Sequence, residues 1–275
     1  MKLDSLFTLK DAKASSCGIT CVDQIERTIE LEGPETVAAV IVEPISNTGG
    51  ITTPPPEYLP RLRAICDRHN VLLIFDEIIT GFGRTGQMFA AQTFDVLPDV
   101  LCMGKGMGSG YGPLAAFAIR DHVAAAFWGE DTENVEFSHG QTFGGNPLSS
   151  AAGVASIREI LERDLCANAR RIGDHLRRRI EELAPLNVVT DVRGKGLLIG
   201  LGLARDAAHG IPFPRSLGFG QRVARRAQAR GLILRADPDW IALAPPLIIT
   251  QEEADTLFTI FAESLREELG AEGVA

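Results

Sequence analysis

The sequence predicts an α/β fold with a mostly parallel sheet, followed by a smaller C-terminal α+β unit, and three observations carry that prediction. Between 37 and 119, short continuous apolar runs recur: AAVIV (38–42), VLLIF (71–75), VLCM (100–103) and LAAFAI (114–119). Runs of this length without polar alternation suit strands covered on both faces. The stretch between the first two of them, YLPRLRAICDRHN (58–70), spaces its apolar residues at a helical period. Strands alternating with helices in this way build a parallel sheet. After Pro147 the texture changes to long helices and then short strands, so we divide the chain into units 1–155 and 156–275, with the boundary inside a helix.

The second unit is predicted element by element. A helix starting at Pro147 breaks near Asp164 and resumes to Leu183, with Leu and Ile on one side and the charges of RRIGDHLRRRIEEL on a face expected to be solvated. VVTDVRG and LLIGLGL read as strands, a helix follows around 220–230, and LILRA and WIALA read as two more strands. Thr250 is the expected N-cap of a closing amphipathic helix running from Gln251 to about Leu269.

Composition limits the partners. A chain of 275 residues with 45% hydrophobic residues buries roughly three quarters of its unfolded surface, enough for one large domain or two modest ones. A formal charge of -9 argues against nucleic acid or an anionic membrane as principal partner, because both require a basic surface. No apolar run approaches the ~20 residues of a membrane span, and the opening residues lack the apolar core of a secretion signal. Cytoplasmic placement is the expectation, and it suits five scattered cysteines read as free thiols. Cys17 and Cys21 have no second Cys/His pair at zinc-site spacing, so no metal is expected.

Ligands of parallel α/β sheets bind beyond the carboxyl ends of the strands, and here those ends are polar. VIV ends in Glu43-Pro44, LIF in Asp76-Glu77, and LCM in Gly104-Lys105-Gly106. An aspartate at such a place is costly unless it meets a cation, and a lysine in a confined site has a lowered pKa that favours its nucleophilic amine. Together the two suit pyridoxal 5′-phosphate (PLP): lysine forms a Schiff base with its aldehyde, and aspartate keeps its ring nitrogen protonated. Taken singly, each residue has a plainer reading, the lysine as a solvated loop residue and the aspartate as a helix cap. The glycines of GKGMGSG match neither G-x-G-x-x-G nor the P-loop spacing. Ser138-His139 lacks a nucleophile elbow, and His139 is placed in a polar loop.

Six segments, VAAVIVEPISNTGGITTPP, LLIFDEIITGFGRTGQMFA, PDVLCMGKGMGSGYGPLAA, FSHGQTFGGNPLSSAAG, DVRGKGLLIGL and IALAPPLIIT, stand in the order and at the separations of the class III (omega) aminotransferases. The chain resembles that family of PLP enzymes of fold type I. The resemblance implies that Lys105 is the Schiff-base lysine, Asp76 the partner of the pyridine nitrogen, and Ile78 the residue packing one ring face. It implies that Thr142, with Phe143 beside it, reaches across a homodimer interface to the neighbouring subunit's cofactor phosphate. Glu43 matches the family's Glu-Pro, with a supporting hydrogen-bond role. Arg84, in GFGRTG, is open between structural and functional readings.

Two departures bear on substrate. Where family members acting on amino acids carry a carboxylate-clamping arginine and a switch glutamate, this sequence has Ala242 and Thr48. Arg235 instead stands where the amine:pyruvate transaminases carry a mobile arginine, which implies an amine donor and pyruvate or a similar 2-oxo acid as acceptor. Family members also have roughly a further third of chain before the resemblance begins, near Ser16. On that pattern the phosphate-cradling helix, a ring-stacking aromatic and about three strands lie elsewhere, and the strands at 38–42 and 114–119 are left as open edges. A fragment of a working aminotransferase, one piece of a split enzyme completed by another chain, and a non-catalytic interaction subunit are all compatible with these residues.

Overall fold

The computed structural model describes residues 14–129 and 135–273. Its first sheet contains β1 (Ala39–Val42), β2 (Leu72–Asp76), β3 (Val100–Met103) and β4 (Ala116–Ile119) in that order. β1, β2 and β3 run parallel, and β4 joins β3 antiparallel. β1 and β4 are therefore the sheet's edges, as expected from the family pattern.

Helices α1 (Ala14–Glu32) and α2 (Tyr58–His69) cover one face of this sheet, where Val22, Ile29, Leu59, Leu62, Leu73 and Phe75 form a dry core. The expectation of burial on both faces does not hold for β1, whose Ile41 is 61% exposed. Val40 and Val42 point to the helices, whereas Ile41 and its register partner Ile74 point to the other side, which α1 and α2 do not cover.

Two short helices, α3 (Ala90–Phe94) and α4 (Asp121–Ala124), precede the long pair α5 (Pro147–Glu162) and α6 (Leu165–Glu181). Asn146 caps α5, accepting from Leu148 N at 3.1 Å and Ser149 N at 3.2 Å. The predicted break falls where Asp164 adopts φ +44° and accepts from Ala167 N.

The second sheet has β5 (Val189–Lys195), β6 (Leu198–Leu203), β7 (Arg235–Asp237) and β8 (Trp240–Leu243), all antiparallel, in the order β5-β6-β8-β7. Every residue of β6 is buried, and α6, α7 (Phe219–Ala229) and α8 (Gln251–Ala271) supply the apolar side chains that pack with the sheet. Thr250 caps α8 in a reciprocal box with Glu253, as the sequence predicts. The charged face of α6 is less solvated than expected. Arg170 donates to the Gly86 carbonyl, Arg177 to the Arg193 carbonyl at 3.2 Å, and Arg179 pairs with Asp255 on α8. Long side chains have used their charged ends to join α6 to its neighbours.

Among the connections between the halves, two involve the segments that follow β1 and β2. The segment following β1 inserts Ile51, fully buried at φ +61°, among Leu198, Trp240 and Ala242. A β-branched residue in the left-handed region is strained, and the surrounding packing holds it there. In the second connection, Arg84 donates to the carbonyls of Leu197 at 3.2 Å and Pro245 at 2.5 Å, and burial pushes its pKa down to about 10. The structure thus gives Arg84 a structural task.

Candidate active site

The site grows from two neighbouring strand ends. Asp76, last in β2, is the register partner of Cys102 on β3, and the ladder continues one step as Glu77 N donates to the Cys102 carbonyl at 3.0 Å. Each chain then turns, one through 77–86 and the other through 104–112, and the turns touch. A β-carbon on Gly104 would lie 3.6 Å from the Ile78 side chain, and one on Gly106 would lie 3.2 Å from Phe82 Cβ. The glycines flanking Lys105 let the two backbones approach. Lys105 opens a 3-10 turn, Lys105–Met107, with φ +40°, a region that costs a non-glycine residue of order 1–3 kcal/mol. The backbones that carry Asp76, Ile78 and Lys105 thereby lie on adjoining strand ends.

Strand alternation gives the acid pair opposite surroundings. Glu77 is fully buried and accepts from Ala90 N at 2.5 Å, Ala91 N at 2.8 Å and Thr80 Oγ1 at 3.0 Å, anchoring the first turn of α3. Asp76 is half-buried; its Oδ1 accepts from Ile78 N at 3.0 Å, and Oδ2 has no protein partner among the described residues. The Lys105 side chain is exposed rather than confined, because its turn stands beyond the strand ends with only its backbone packed. Cys102 lies beside this pair, its thiol pKa raised by burial and by the Asp76 charge.

Burial pushes the Glu77 carboxyl above its ordinary value, against the pull of the Ala91 and Ala90 N–H groups and the Thr80 hydroxyl. The folded chain therefore holds this proton more tightly than the unfolded chain does. That contribution is fully present below the ordinary carboxylate range and is lost as pH rises from that range through the raised value of the folded chain. Glu77→Gln has no such loss, so the stability advantage of the parent chain over this variant should shrink as pH rises above the ordinary carboxylate range in paired urea titrations. An advantage that grew with pH would show that the anion, not the acid, is the form held.

The remaining predicted residues lie in other parts of the chain. Glu43, at the end of β1, accepts from Asn47 N at 3.1 Å and closes the first turn of the inserted segment. Thr142 and Phe143 are exposed in the turn before α5, Phe143 at 80%, and no hydrogen bond or ring contact ties them to the Lys105 turn. Arg235, exposed on edge strand β7, stands across from buried Ala242 with its guanidinium 5.7 Å from the Trp240 ring centroid. Thr48 is exposed. His139 rests edge-on against Phe117, 5.2 Å between ring centroids, rather than in a polar setting.

Glu26, Glu30 and His69 also come within ligating distance of one another. Arg68 and His69 share one Glu26 oxygen, and together with a hydrogen bond from His69 they hold that carboxyl below its ordinary range, which is the arrangement of an ion-pair cluster. For a cofactor, the donor set at the strand ends suits an aldehyde and a protonated ring nitrogen.

The family model for aminotransferase class-III matches residues 6–265, starting somewhat earlier than the motifs suggest. A probable aminotransferase of Mycobacterium tuberculosis is 42% identical over 257 residues, 91% of this chain and 54% of that protein. An omega-aminotransferase of Caulobacter vibrioides is 39% identical over 253 residues, 92% of this chain and 55% of that protein. Among solved structures, an amine transaminase from an uncultivated Pseudomonas species in its PLP-bound form superposes with a TM-score of 0.86 at 36% identity, covering 93% of this chain and 58% of that one. The chain spans about half the length of the curated relatives it matches. With two parallel strand ends presenting Asp76 and Lys105 inside a family match of this extent, the chain belongs to the class-III aminotransferases, a PLP-dependent family of fold type I.

Proposed function

We propose that this chain is the lysine-bearing part of an omega-transaminase that moves an amino group from an amine to pyruvate or a similar 2-oxo acid. The observation that carries the reading is the convergence of Asp76, Ile78 and Lys105 on adjoining strand ends. PLP, when bound, supplies an aldehyde for a lysine amine and a ring that withdraws electrons from the substrate carbon. The Lys105 amine holds the aldehyde and, once released, carries the proton to and from that carbon as general base and acid. Asp76 fixes the charge on the ring nitrogen, and Ile78 covers one face of the ring.

Thr142 and Phe143 are assigned to the phosphate of a neighbouring subunit, an assignment supported by their exposure and their separation from Lys105. Arg235 is assigned to the carboxylate of the 2-oxo acid, for which a planar two-point donor is suited. Glu43 keeps its supporting bond to Asn47. Exposed Tyr111, Trp128, Phe143 and Leu148 favour a homodimer or a completing chain over an isolated subunit. The division at 155/156 is part of the same reading, with helix α5 spanning both units. Among the described residues no helix is long and apolar enough to cross a membrane, and a cytoplasmic setting fits a reaction of small polar metabolites.

The test is reductive trapping. The chain is incubated with PLP, reduced with borohydride and mapped by mass spectrometry, with exposed Lys195 as internal control. Selective modification of Lys105 is expected, and Asp76→Asn should weaken it about tenfold or more, the effect of losing one charge-assisted hydrogen bond. Equal labelling of Lys105 and Lys195 would refute the reading.

A further inference from the structure

The 104–112 turn that holds Lys105 at φ +40° also carries Ser109 at φ +48°, so two non-glycine residues sit in the left-handed region within five positions. Such a turn relaxes unless something outside it holds its backbone. Helix α5 supplies that hold. Ser156, 9% exposed, lies with its Oγ 3.2 Å from the Gly106 carbonyl and 2.6 Å from Ser109 Oγ. A hydroxyl has one hydrogen to give, so Ser156 donates to the carbonyl and Ser109 donates to Ser156. One helical turn earlier, Gly153 has no room for a side chain, since a β-carbon there would overlap Leu114 and lie 3.6 Å from the Met107 carbonyl. Two turns earlier, Ser149 fills the space beside Gly112.

We propose that Ser156 is a positioning residue for Lys105, holding the strained turn through the Ser109–Ser156–Gly106 hydrogen-bond chain. The same helix begins at Pro147, shortly after the turn that carries Thr142 and Phe143, so its placement links the lysine turn to the loop assigned to a neighbouring subunit's phosphate. The consequence for chemistry rests on the cofactor reading above; the hold on the backbone does not.

The experiment separates the two. Amide exchange is measured in the ligand-free 275-residue chain. The Met107 and Gly108 amides, which donate within the turn to Gly104 and Lys105 carbonyls, report its integrity. In Ser156→Ala these amides should exchange about five- to tenfold faster, the factor given by one lost hydrogen bond, with the β6 amides unchanged. Ser156→Thr, which keeps the hydroxyl, should restore slow exchange. Ser109→Ala, at an exposed position where misfolding is not at issue, should give a smaller rise, and the double variant should match Ser156→Ala alone because both act through one bond. PLP trapping at Lys105 should fall in step with the faster exchange. Unchanged exchange in Ser156→Ala, or no rescue by threonine, overturns the proposal. Faster exchange with no trapping at Lys105 even in the parent chain supports the positioning role and overturns the cofactor reading instead.

Discussion

Lys105→Ala is expected to abolish the PLP adduct altogether while leaving the fold intact. The substitution separates chemistry from stability. The side chain is exposed and forms no ion pair among the described residues, and only the backbone of its turn is packed against Ile78, Phe82 and α5. Surface truncations of this kind move stability by about 0.5 kcal/mol or less. The urea midpoint should therefore stay in place while the borohydride-stable mass at residue 105 disappears. Where amino transfer is measurable in the parent chain, it should fall on the order of 10³-fold or more, because no other described lysine lies in these two turns to take over the nucleophile's work. Lys105→Arg sharpens the test: it keeps the charge and loses the nucleophile, so it should behave like alanine. An arginine variant that transferred amino groups would reduce Lys105 to an electrostatic role, and an alanine variant that retained the adduct would remove it from the site.

Much of the scaffold behind this experiment was legible before any coordinates. Apolar runs alternating with helical stretches point to parallel neighbours, and residues that end such runs lie at one edge of the sheet; that singles out Asp76 and Lys105 as candidates, and the family resemblance supplies their roles. Asp164 and Thr250 announced a helix break and a helix start through local hydrogen bonding, which needs no tertiary knowledge. The different fates of Asp76 and Glu77 were also within reach, since period-two alternation from buried Leu73 and Phe75 sends Glu77 inward and Asp76 outward. What stayed hidden depends on distant segments. Nothing local to Ile51 says that Leu198 and Trp240 will hold it at a positive φ, and nothing in the arginines of α6 says that the Gly86 and Arg193 carbonyls will claim them. Nothing local to Ser156 says that the Gly106 carbonyl will stand within reach of its hydroxyl. Thr142, Phe143 and Arg235 came from family resemblance, and the single chain offers no contact that draws any of them to Lys105.

Gly196→Ala should cost about 3–5 kcal/mol. Gly196 and Leu197 form the two-residue tip between β5 and β6, and that tip is wedged between the 84–86 segment and α6. A β-carbon on Gly196 would lie 2.6 Å from the Thr85 carbonyl carbon and 2.7 Å from both Arg84 O and Gly86 N. All three are backbone atoms, which cannot swing aside as a side chain would. On its far side the Gly196 carbonyl faces Gly173 of α6 so closely that the tip has no second direction to move. Relief requires lifting the hairpin, which breaks the bond from Leu197 N to the Arg84 carbonyl and leaves the buried Arg84 guanidinium short of the Leu197 carbonyl. Gly210→Ala is the matched control: its φ of +67° carries a similar conformational penalty, but no atom lies within 4 Å of the added carbon. It should cost only about 1–2 kcal/mol. The difference between the two in denaturant titrations measures the wedge alone, free of the backbone preference both share. The effect should also reach the chemistry, because Arg84 belongs to the same turn whose Phe82 supports Gly106 beside Lys105. Equal costs at the two glycines would mean that the second sheet is not seated on the 84–86 segment, and that Arg84 has a task other than joining the two halves.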